Sequence, residues 1–567
     1  MNQTKPLFII KRYREILLAS LVIESVDFLI SLTDTIIAGN LISKEALTAV
    51  GLVSPIILIT SFISTIIHSG AMLEYSGHLG RSEKNRANEY FSQSILLAII
   101  SGLLLGIIFL FMRDGFIKFL EISPSMNEHV RNYYDIIIFY CALTPLSNLL
   151  DNVLASDGGG KLSAFANTVQ ITGNIIFSII LAKFYGVKGI ACASLIFKIV
   201  FIMLISLHFV ISKSEIKFFY CLKFHDCLKI FKSGITRAYA LCVNSLMTFA
   251  LNKFAVNNLD IDTISVVIII EKVISLSNLF LGLSTAMRPV LVSLRGENNT
   301  KSMRYLMRSV CFDMIILSGI ISLIIFTFAP YLAKIFGVHN GLIFHESIKA
   351  IRIISAAIIF QAVMIVFFCY YTFIDKNFLA MTIATIKDFI CPFSLIYLDF
   401  IILYESLALA QVISMNICAL LVYIIYGRER FPFLLPVEND ERIFIYDFEL
   451  DEENAALMSE TAYNLLQKFE IKPNIIKIMS LCIEDILLLI REKNHNKILN
   501  VECNIMLNSS GAKLIIRDNG EIFDVTDSDS RIDSFRKYII SNIITTCENK
   551  AHILATGYNR NEFYFAY

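Results

Sequence analysis

The sequence predicts an all-α polytopic membrane protein with twelve transmembrane helices in two parallel six-helix repeats, followed by a C-terminal α+β sandwich domain. Of its 567 residues, 56% are hydrophobic and only 17% are charged, whereas soluble domains carry about 25% charged residues. Up to about residue 426 the apolar residues form long blocks that can each cross a hydrocarbon core of ~30 Å. Ordinary mixed sequence follows, so a soluble domain completes the chain.

The apolar blocks predict spans at 15–40, 46–73, 91–112, 133–156, 162–185, 188–211, 232–256, 263–287, 308–335, 348–374, 377–402 and 404–427. Basic residues are concentrated in alternate connections, which predicts an even number of spans with both termini in the cytoplasm. We therefore expect a multi-pass protein of the cytoplasmic (plasma) membrane. The 49 basic and 49 acidic residues cancel, which excludes a broad basic surface for nucleic acid.

An internal repeat divides the apolar region into two lobes. LGRSEKNRANEYFSQS (79–94) and LRGENNTKSMRYLMRS (294–309) follow the second and eighth spans, at an offset of ~215 residues. The repeat predicts a first lobe at 1–212, a cytoplasmic linker at 213–231 and a second lobe at 232–430. Six spans per repeat give both halves the same orientation, and such parallel repeats build alternating-access carriers with a cavity between two bundles.

Three stretches resemble the multidrug and toxic compound extrusion (MATE) transporters. VDFLISLTDTIIAGNLISKEALTAVGL (26–52) is similar to the first-span signature of that family, and HLGRSEKNRANEYF (78–91) resembles its loop after span two. ASDGGGKLSAFANTVQITGNII (155–176), followed by YGVKGIACAS (185–194), is similar to the region of spans four to six. The resemblance implies two six-helix lobes around a central cavity that export organic, often cationic compounds against an inward flow of H+ or Na+.

Span one carries three carboxylates, which are expensive inside a bilayer and therefore mark a functional site. Glu24, Asp27 and Asp34 fall on one broad helical face, as a cation pathway requires. Asp34 matches the family's first-span aspartate and Asn174 matches an asparagine of span five, but Ser178 stands where many members have a second aspartate. The alternative is that these acids pair with basic residues of other helices, namely Lys198, Lys253 or Arg352.

Polar residues in the second half are candidates for its cavity. Asp388 and Asp399 lie in span eleven and Gln361 lies in span ten. Pairing between helices or a position at the membrane interface is the alternative for the two acids. The 12 cysteines form no CxxC pair, so we expect neither a zinc site nor a disulfide framework.

The tail, 440–567, predicts strands at ERIFIYDFEL, KILNVECNIMLN, GAKLIIRDNG and NEFYFAY, and helices at NAALMSETAYNLLQKF, PNIIKIMSLCIEDILLLIREKN and FRKYIISNIITTC. AKLIIRDNGEIFDVTD (512–527) resembles the DxGxxFD box of histidine-kinase-type ATPases, in particular their anti-sigma-factor kinase branch. The resemblance implies that Asp518 and Gly520 are remnants of an adenine site and that Glu484 matches the family's acid. Leu488 replaces the Mg2+-binding asparagine and the glycine-rich lid is missing, so we expect a degenerate domain with weak or lost ATP binding and no kinase activity.

These features together predict a secondary exporter rather than an enzyme, with H+ or Na+ as coupling ion and no required cofactor or metal. The expected partners are a small-molecule substrate, membrane lipid and a cytoplasmic regulatory protein at 440–567. One alternative is a flippase for a lipid-linked precursor, which the few basic residues predicted in the central spans disfavour. The other is a transporter-derived membrane sensor that signals through its C-terminal domain.

Overall fold

The structure is a computed structural model. It describes residues 6–42, 46, 49–50, 53–81, 83–119, 124–211, 223–258, 273–274, 276–335, 342–398, 403–426, 442–469, 471–495, 499–508, 510–522, 547, 549–555 and 558–566.

The first lobe consists of long helices that coincide with the first six predicted spans. They are α1 Leu7–Leu41, α2 Ser54–Gly80, α3 Lys84–Phe119, α4 Pro124–Leu154, α5 Gly160–Tyr185 and α6 Val187–Ile211. A π-helical turn over Ala155–Gly159 joins α4 to α5, where the sequence predicts a short loop. Gly186 ends α5 with a positive φ of 57°, a conformation that glycine adopts without strain.

The helices of the second lobe overlap the remaining predicted spans, but residues 263–272 and 275 of the span predicted at 263–287 lie outside the described residues. These helices are α7 Phe224–Asn258, α8 Leu281–Gly296, α9 Thr300–Ile335, α10 Leu342–Phe373, α11 Asn377–Thr385, α12 Cys391–Leu398 and α13 Leu403–Tyr426. A 3-10 turn at Leu276–Phe280 precedes α8, and a π-helical turn at Ile386–Ile390 joins α11 to α12. Within the described residues, seven helices are long and apolar enough to cross a membrane. The number of twelve spans therefore stays a prediction.

Glycines bring the two lobes into close contact at one end of the helices. A Cβ on Gly70 of α2 would lie 2.0 Å from the carbonyl oxygen of Ile230 on α7, and a Cβ on Gly234 would lie 1.8 Å from that of Ile66. Nearer the helix ends, a Cβ on Gly80 would lie 2.4 Å from the carbonyl oxygen of Ser293 on α8. Only glycine permits backbones to approach this closely, so the lobes are in contact here.

The described residues of the C-terminal domain form a five-stranded antiparallel sheet with two helices packed on one face. Its strands are β1 Ile443–Glu449, β2 Asn500–Leu507, β3 Gly511–Asp518, β4 Asn549–Ala555 and β5 Tyr558–Ala566, in the order β1-β2-β3-β5-β4. Helices α14 Glu452–Leu466 and α15 Pro473–Lys493 bury their apolar faces against the sheet. Strand β4 is not predicted from the sequence, and the helix predicted over 535–547 lies outside the described residues except for Cys547.

The sheet lies against the end of the helices at which the lobes touch, which we call the domain end. The backbone N–H of Phe8 in α1 donates to Asp447 of β1 at 2.5 Å, and the hydroxyl of Tyr558 donates to Glu15 at 2.8 Å. From the second lobe, the Lys301 ammonium donates to the carbonyl of Ile443 at 2.9 Å. The C-terminal domain therefore contacts both lobes.

Candidate functional site

Asp34 lies deep in the first lobe, and its partners among the described residues are neutral. Its side chain is 2% exposed. Carboxylate oxygen Oδ2 accepts hydrogen bonds from Ser194 of α6 at 3.1 Å and from Tyr133 of α4 at 3.4 Å. Neutral hydroxyls stabilise a carboxylate less than a cation does. The Asp34 carboxylate can therefore bind a proton or a metal cation.

Asn174 belongs to the same network, as the sequence predicts. Its amide donates to the Ser194 hydroxyl at 2.7 Å, so one serine links the two predicted residues. Three buried oxygen atoms have no hydrogen-bond partner in the described structure: Asp34 Oδ1, Asn174 Oδ1 and the hydroxyl of Ser178. Carboxylate, amide and hydroxyl oxygens are the ligands that hard cations prefer. The sequence does not point to Ser194 or Tyr133, because neither is charged and both are distant in the chain.

Glu24 lies elsewhere, at the boundary between the lobes. Ten residues separate it from Asp34, or ~15 Å along the helix. The Arg237 guanidinium of α7 and the Thr285 hydroxyl of α8 each donate to one Glu24 oxygen at 2.7 Å. Glu24 therefore pairs with a basic residue of another helix, Arg237, which is not one of the three basic residues considered from the sequence. The side chain of Asp27 lies outside the described residues.

A polar cavity of about 110 Å³ opens beside Glu24, between the two lobes. Buried Asp151 lines it and accepts hydrogen bonds from Ser163 at 2.5 Å and from Asn167 at 2.9 Å. Lys198 lines it as well, with its ammonium 4.7 Å from the centre of the Tyr140 ring. Sequence reasoning did not single out Asp151, whose partners lie on the next helix.

Two buried arginines of the second lobe face the first lobe next to this cavity. Arg237 pairs with Glu24, whereas Arg288 donates to the amide oxygen of Asn152 at 2.7 Å and to the hydroxyl of Ser69 at 3.4 Å. The expectation of few basic residues in the central spans is wrong for this region. Hydropathy averaged over a span conceals a single arginine among twenty apolar neighbours.

Two of the three predicted residues of the second-lobe cavity are described. Asp388 pairs with its neighbour Lys387 within one π-helical turn, whereas the alternative predicted from the sequence was a pair between helices. Gln361 is buried within α10. Asp399 lies outside the described residues.

Of the predicted adenine-site residues, Asp518 and Gly520 lie together at the end of β3. Asp518 ends β3 and is 1% exposed, and it accepts hydrogen bonds from the backbone N–H of Gly520 and from the Asn559 amide, both at 2.9 Å. Burial raises the pKa of Asp518 to about 6, against the lowering effect of the Asn559 hydrogen bond. Glu484 lies half-buried on α15. The carboxylate that would receive an adenine amino group therefore already has protein donors.

Two helical lobes, a polar cavity between them and a buried carboxylate on the first helix are features of a membrane transporter. The family model MatE matches the chain twice, over residues 20–180 and 238–398. The chain belongs to the MatE family, whose members are transporters and not enzymes, and antiport and efflux fit that family. The two matched stretches reproduce the repeat that the sequence predicts.

Solved structures with the same fold cover about three quarters of the chain. An outward-facing multidrug resistance MATE transporter of the MOP superfamily is 18% identical over 76% of this chain and 98% of its own, with a TM-score of 0.68. A MATE structure in a bent conformation is 18% identical over 75% of this chain and 97% of its own, with a TM-score of 0.66. A MOP superfamily transporter from Pyrococcus furiosus, described as having reverse polarity of its binding pocket, is 18% identical over 76% of this chain and 98% of its own. Its TM-score is 0.67. No curated protein matches the chain.

Proposed function

We propose that the protein is a secondary active exporter of organic, amphipathic compounds, driven by H+ or Na+ that binds at Asp34. The observation that carries this proposal is a buried carboxylate whose described partners are neutral. Within the described residues, Asp34, Asn174 and Ser178 each have a buried side-chain oxygen without a hydrogen-bond partner. An intramembrane acid that binds and releases a cation can link an ion gradient to movement of the lobes.

The test is transport by the full-length protein in proteoliposomes with an imposed H+ or Na+ gradient. Ethidium serves as a cationic probe and carboxyfluorescein as an anionic one. We expect Asp34→Asn to abolish gradient-driven transport of the substrate while the protein remains folded and inserted. Asp135→Asn is the matched control, because that carboxylate lies in the same lobe but pairs with Arg113 near the surface at 3.3 Å. Transport that survives Asp34→Asn would overturn the proposal.

The C-terminal domain is, in this proposal, a regulatory domain that keeps the lobes together at the domain end. Arg560 of β5 is 1% exposed and donates to Glu297, which follows α8, at 2.9 Å, and to the carbonyl of Gly80 of α2 at 3.3 Å. Arg517 of β3 pairs with the same Glu297. One arginine thus holds backbone and carboxylate groups of both lobes at the point where Gly80 permits their contact.

The charges of the sheet continue to Glu297. Register places Asp447 opposite Glu502, Glu502 opposite Arg517 and Arg517 opposite Arg560 on adjacent strands. Lys513 and Glu562 pair at 2.7 Å beside them. Glu297 adds a carboxylate from the second lobe, which contacts Arg517 and Arg560. Although burial raises the pKa of Glu297, Arg517 and Arg560 outweigh burial and lower it below its usual value, so Glu297 is ionised at neutral pH.

Removal of the contact tests the regulatory role. Arg560→Met keeps much of the aliphatic bulk and removes the donors to Glu297 and Gly80, so we expect faster transport because the domain end opens more readily. Arg491→Met is the control, since its partner Glu452 lies on the exposed side of the same domain. Unchanged transport in Arg560→Met would reject regulation through this contact.

Because the Asp518 carboxylate already has two donors, we propose that the domain binds no nucleotide. A fluorescent ATP analogue titrated into the full-length protein is expected to give no saturable binding that excess ATP competes away. Binding with a Kd in the micromolar range would favour the alternative, in which the domain signals.

A further inference from the structure

Arg288 is a buried cation without an acidic partner. It is 1% exposed and lies on α8 eight residues before the helix end at Gly296, or ~12 Å along the axis. In the described part of the chain, its hydrogen-bond acceptors are the neutral oxygens of Asn152 and Ser69, and its Nε has none. A charge in this position is costly unless a partner compensates it.

The surrounding acids are already engaged. Glu24 accepts from Arg237 and Thr285, and Asp151 accepts from Ser163 and Asn167. Besides the imidazole of His68, the described ionisable groups around the cavity between the lobes are three bases and two acids. They are Lys198, Arg237, Arg288, Glu24 and Asp151. The described groups leave a surplus of one positive charge.

The surplus charge lies where alternating access must open the protein. Arg288 belongs to the second lobe, and both Asn152 and Ser69 belong to the first. Separation of the lobes at the domain end breaks both hydrogen bonds and leaves the guanidinium facing the cavity. Planar guanidinium groups bind carboxylates and phosphates through paired, charge-assisted hydrogen bonds.

We propose that Arg288, together with Arg237 and Lys198, binds an anionic group, a carboxylate or a phosphate, on the transported compound. This inference rests on the proposed transport function and gives its substrate class. In the closed state, Asn152 and Ser69 occupy the donors of Arg288, and in the open state the substrate anion replaces them and neutralises the surplus charge. Arg237 pairs with Glu24 when the lobes are closed, so the Glu24 carboxylate competes with the substrate anion for Arg237 and aids its release.

The experiment measures binding and transport by the full-length protein in lipid nanodiscs and proteoliposomes. Carboxyfluorescein represents a soluble organic anion, and a fluorescent phosphatidylglycerol represents an anionic lipid head group. Ethidium and a fluorescent phosphatidylcholine are their cationic and zwitterionic counterparts. We expect the wild type to bind or move one anionic probe in preference to its counterpart, and the probe that succeeds identifies the source of the anion.

Variants of Arg288 assign the effect to this residue. Arg288→Gln keeps a donor for Asn152 but removes the charge, so we expect affinity for the anionic probe to fall about tenfold to hundredfold. Arg288→Lys keeps the charge but not the planar guanidinium, so its affinity for the anionic probe should lie between those of the wild type and Arg288→Gln. Arg295→Gln is the matched control, because Arg295 lies on the same helix but pairs with Asp375 near the end at 2.7 Å. If Arg288→Gln does not fold, Arg288→Lys decides by its intermediate affinity.

The outcomes separate this inference from the proposed function. Gradient-driven movement of ethidium, with neither anion bound, would overturn the anion site and leave the exporter in place. If anion binding depends on Arg288 but anion transport does not depend on any ion gradient, the anion site would be supported and ion coupling overturned. Anion affinity that Arg288→Gln leaves unchanged, or wild type that binds neither anion, would overturn the site.

Discussion

Two acids of α1 have opposite surroundings. Glu24 faces the other lobe and has an arginine partner from it, whereas the partners that the structure describes for Asp34 are two hydroxyls of its own lobe. A third acid, Glu297, resembles Glu24, since its arginines come from the C-terminal domain. An acid with a cation from another unit holds two units together, and an acid with neutral partners can bind an exchangeable cation.

The largest expected effect breaks the Glu24 side of this comparison. Arg237→Gln leaves the partly buried Glu24 carboxylate without its arginine partner, which should lower the free energy of unfolding by about 3 kcal/mol. The double variant with Glu24→Gln should recover most of that loss. Denaturant unfolding of the full-length protein in detergent, followed by circular dichroism, measures both. Arg113→Gln, which removes a half-exposed pair with Asp135, should cost much less because solvent screens that pair. Equal losses at the two sites would contradict the interpretation.

The next prediction applies the same reasoning outside the membrane. Glu297→Gln leaves Arg517 and Arg560 without their acid from α8, so docking of the C-terminal domain should weaken by about 3 kcal/mol. Amide hydrogen exchange around Ser293 and Asn561 should accelerate about a hundredfold. Glu452→Gln is the control, because that acid is largely exposed in its pair with Arg491. Unaltered exchange in Glu297→Gln would mean that other contacts hold the domain.

The sequence revealed the acids but not their partners. Asp34, Glu24 and Asp518 stand out because a carboxylate in an apolar or motif context is improbable without a role. Ser194 lies 160 residues from Asp34, and Arg237 lies 213 residues from Glu24. Such pairings depend on how the helices pack, which the local pattern of one chain does not encode.

For the secondary structure too, elements with a clear local pattern were predicted and those that depend on their partners were not. The long helices and strands β1, β2, β3 and β5 agree with the periodicity of their apolar residues. Strand β4 (Asn549–Ala555) was missed because its short run mixes polar and apolar residues, and its pairing with β5 decides its conformation. The π-helical turns at Ala155–Gly159 and Ile386–Ile390 have no known periodic signature.

A smaller effect depends on pH and concerns the acid cluster of the sheet. Burial raises the pKa of Glu502 to about 7, although Arg517 acts in the opposite direction. Its ordinary value is about 4.3, so the folded protein binds the extra proton and stability falls as pH rises between these values. From pH 5 to 7.5 we expect a loss of about 2 kcal/mol.

Glu502→Gln tests that dependence, since the amide oxygen can still accept from Asn504, which donates to Glu502 at 2.8 Å. Unfolding of the C-terminal domain, followed by hydrogen exchange of β2 in the full-length protein, should become about 2 kcal/mol less dependent on pH. Asp518 changes in the same direction, so some dependence remains. An unchanged pH profile would show that Glu502 is ionised throughout.

The smallest effect compares single hydroxyl donors at the two acids of α1. Ser194→Ala removes a donor to Asp34 and its link to Asn174, whereas Thr285→Ala removes a donor to Glu24, which keeps Arg237. One hydrogen bond to a charged group contributes about 1.5–3 kcal/mol. Ser194→Ala should therefore change the half-saturating concentration of the coupling ion by about tenfold, and Thr285→Ala should leave it unchanged. Because neither substitution alters charge or adds volume, equal effects would mean that both acids belong to the ion pathway and that an arginine partner does not exclude an acid from it.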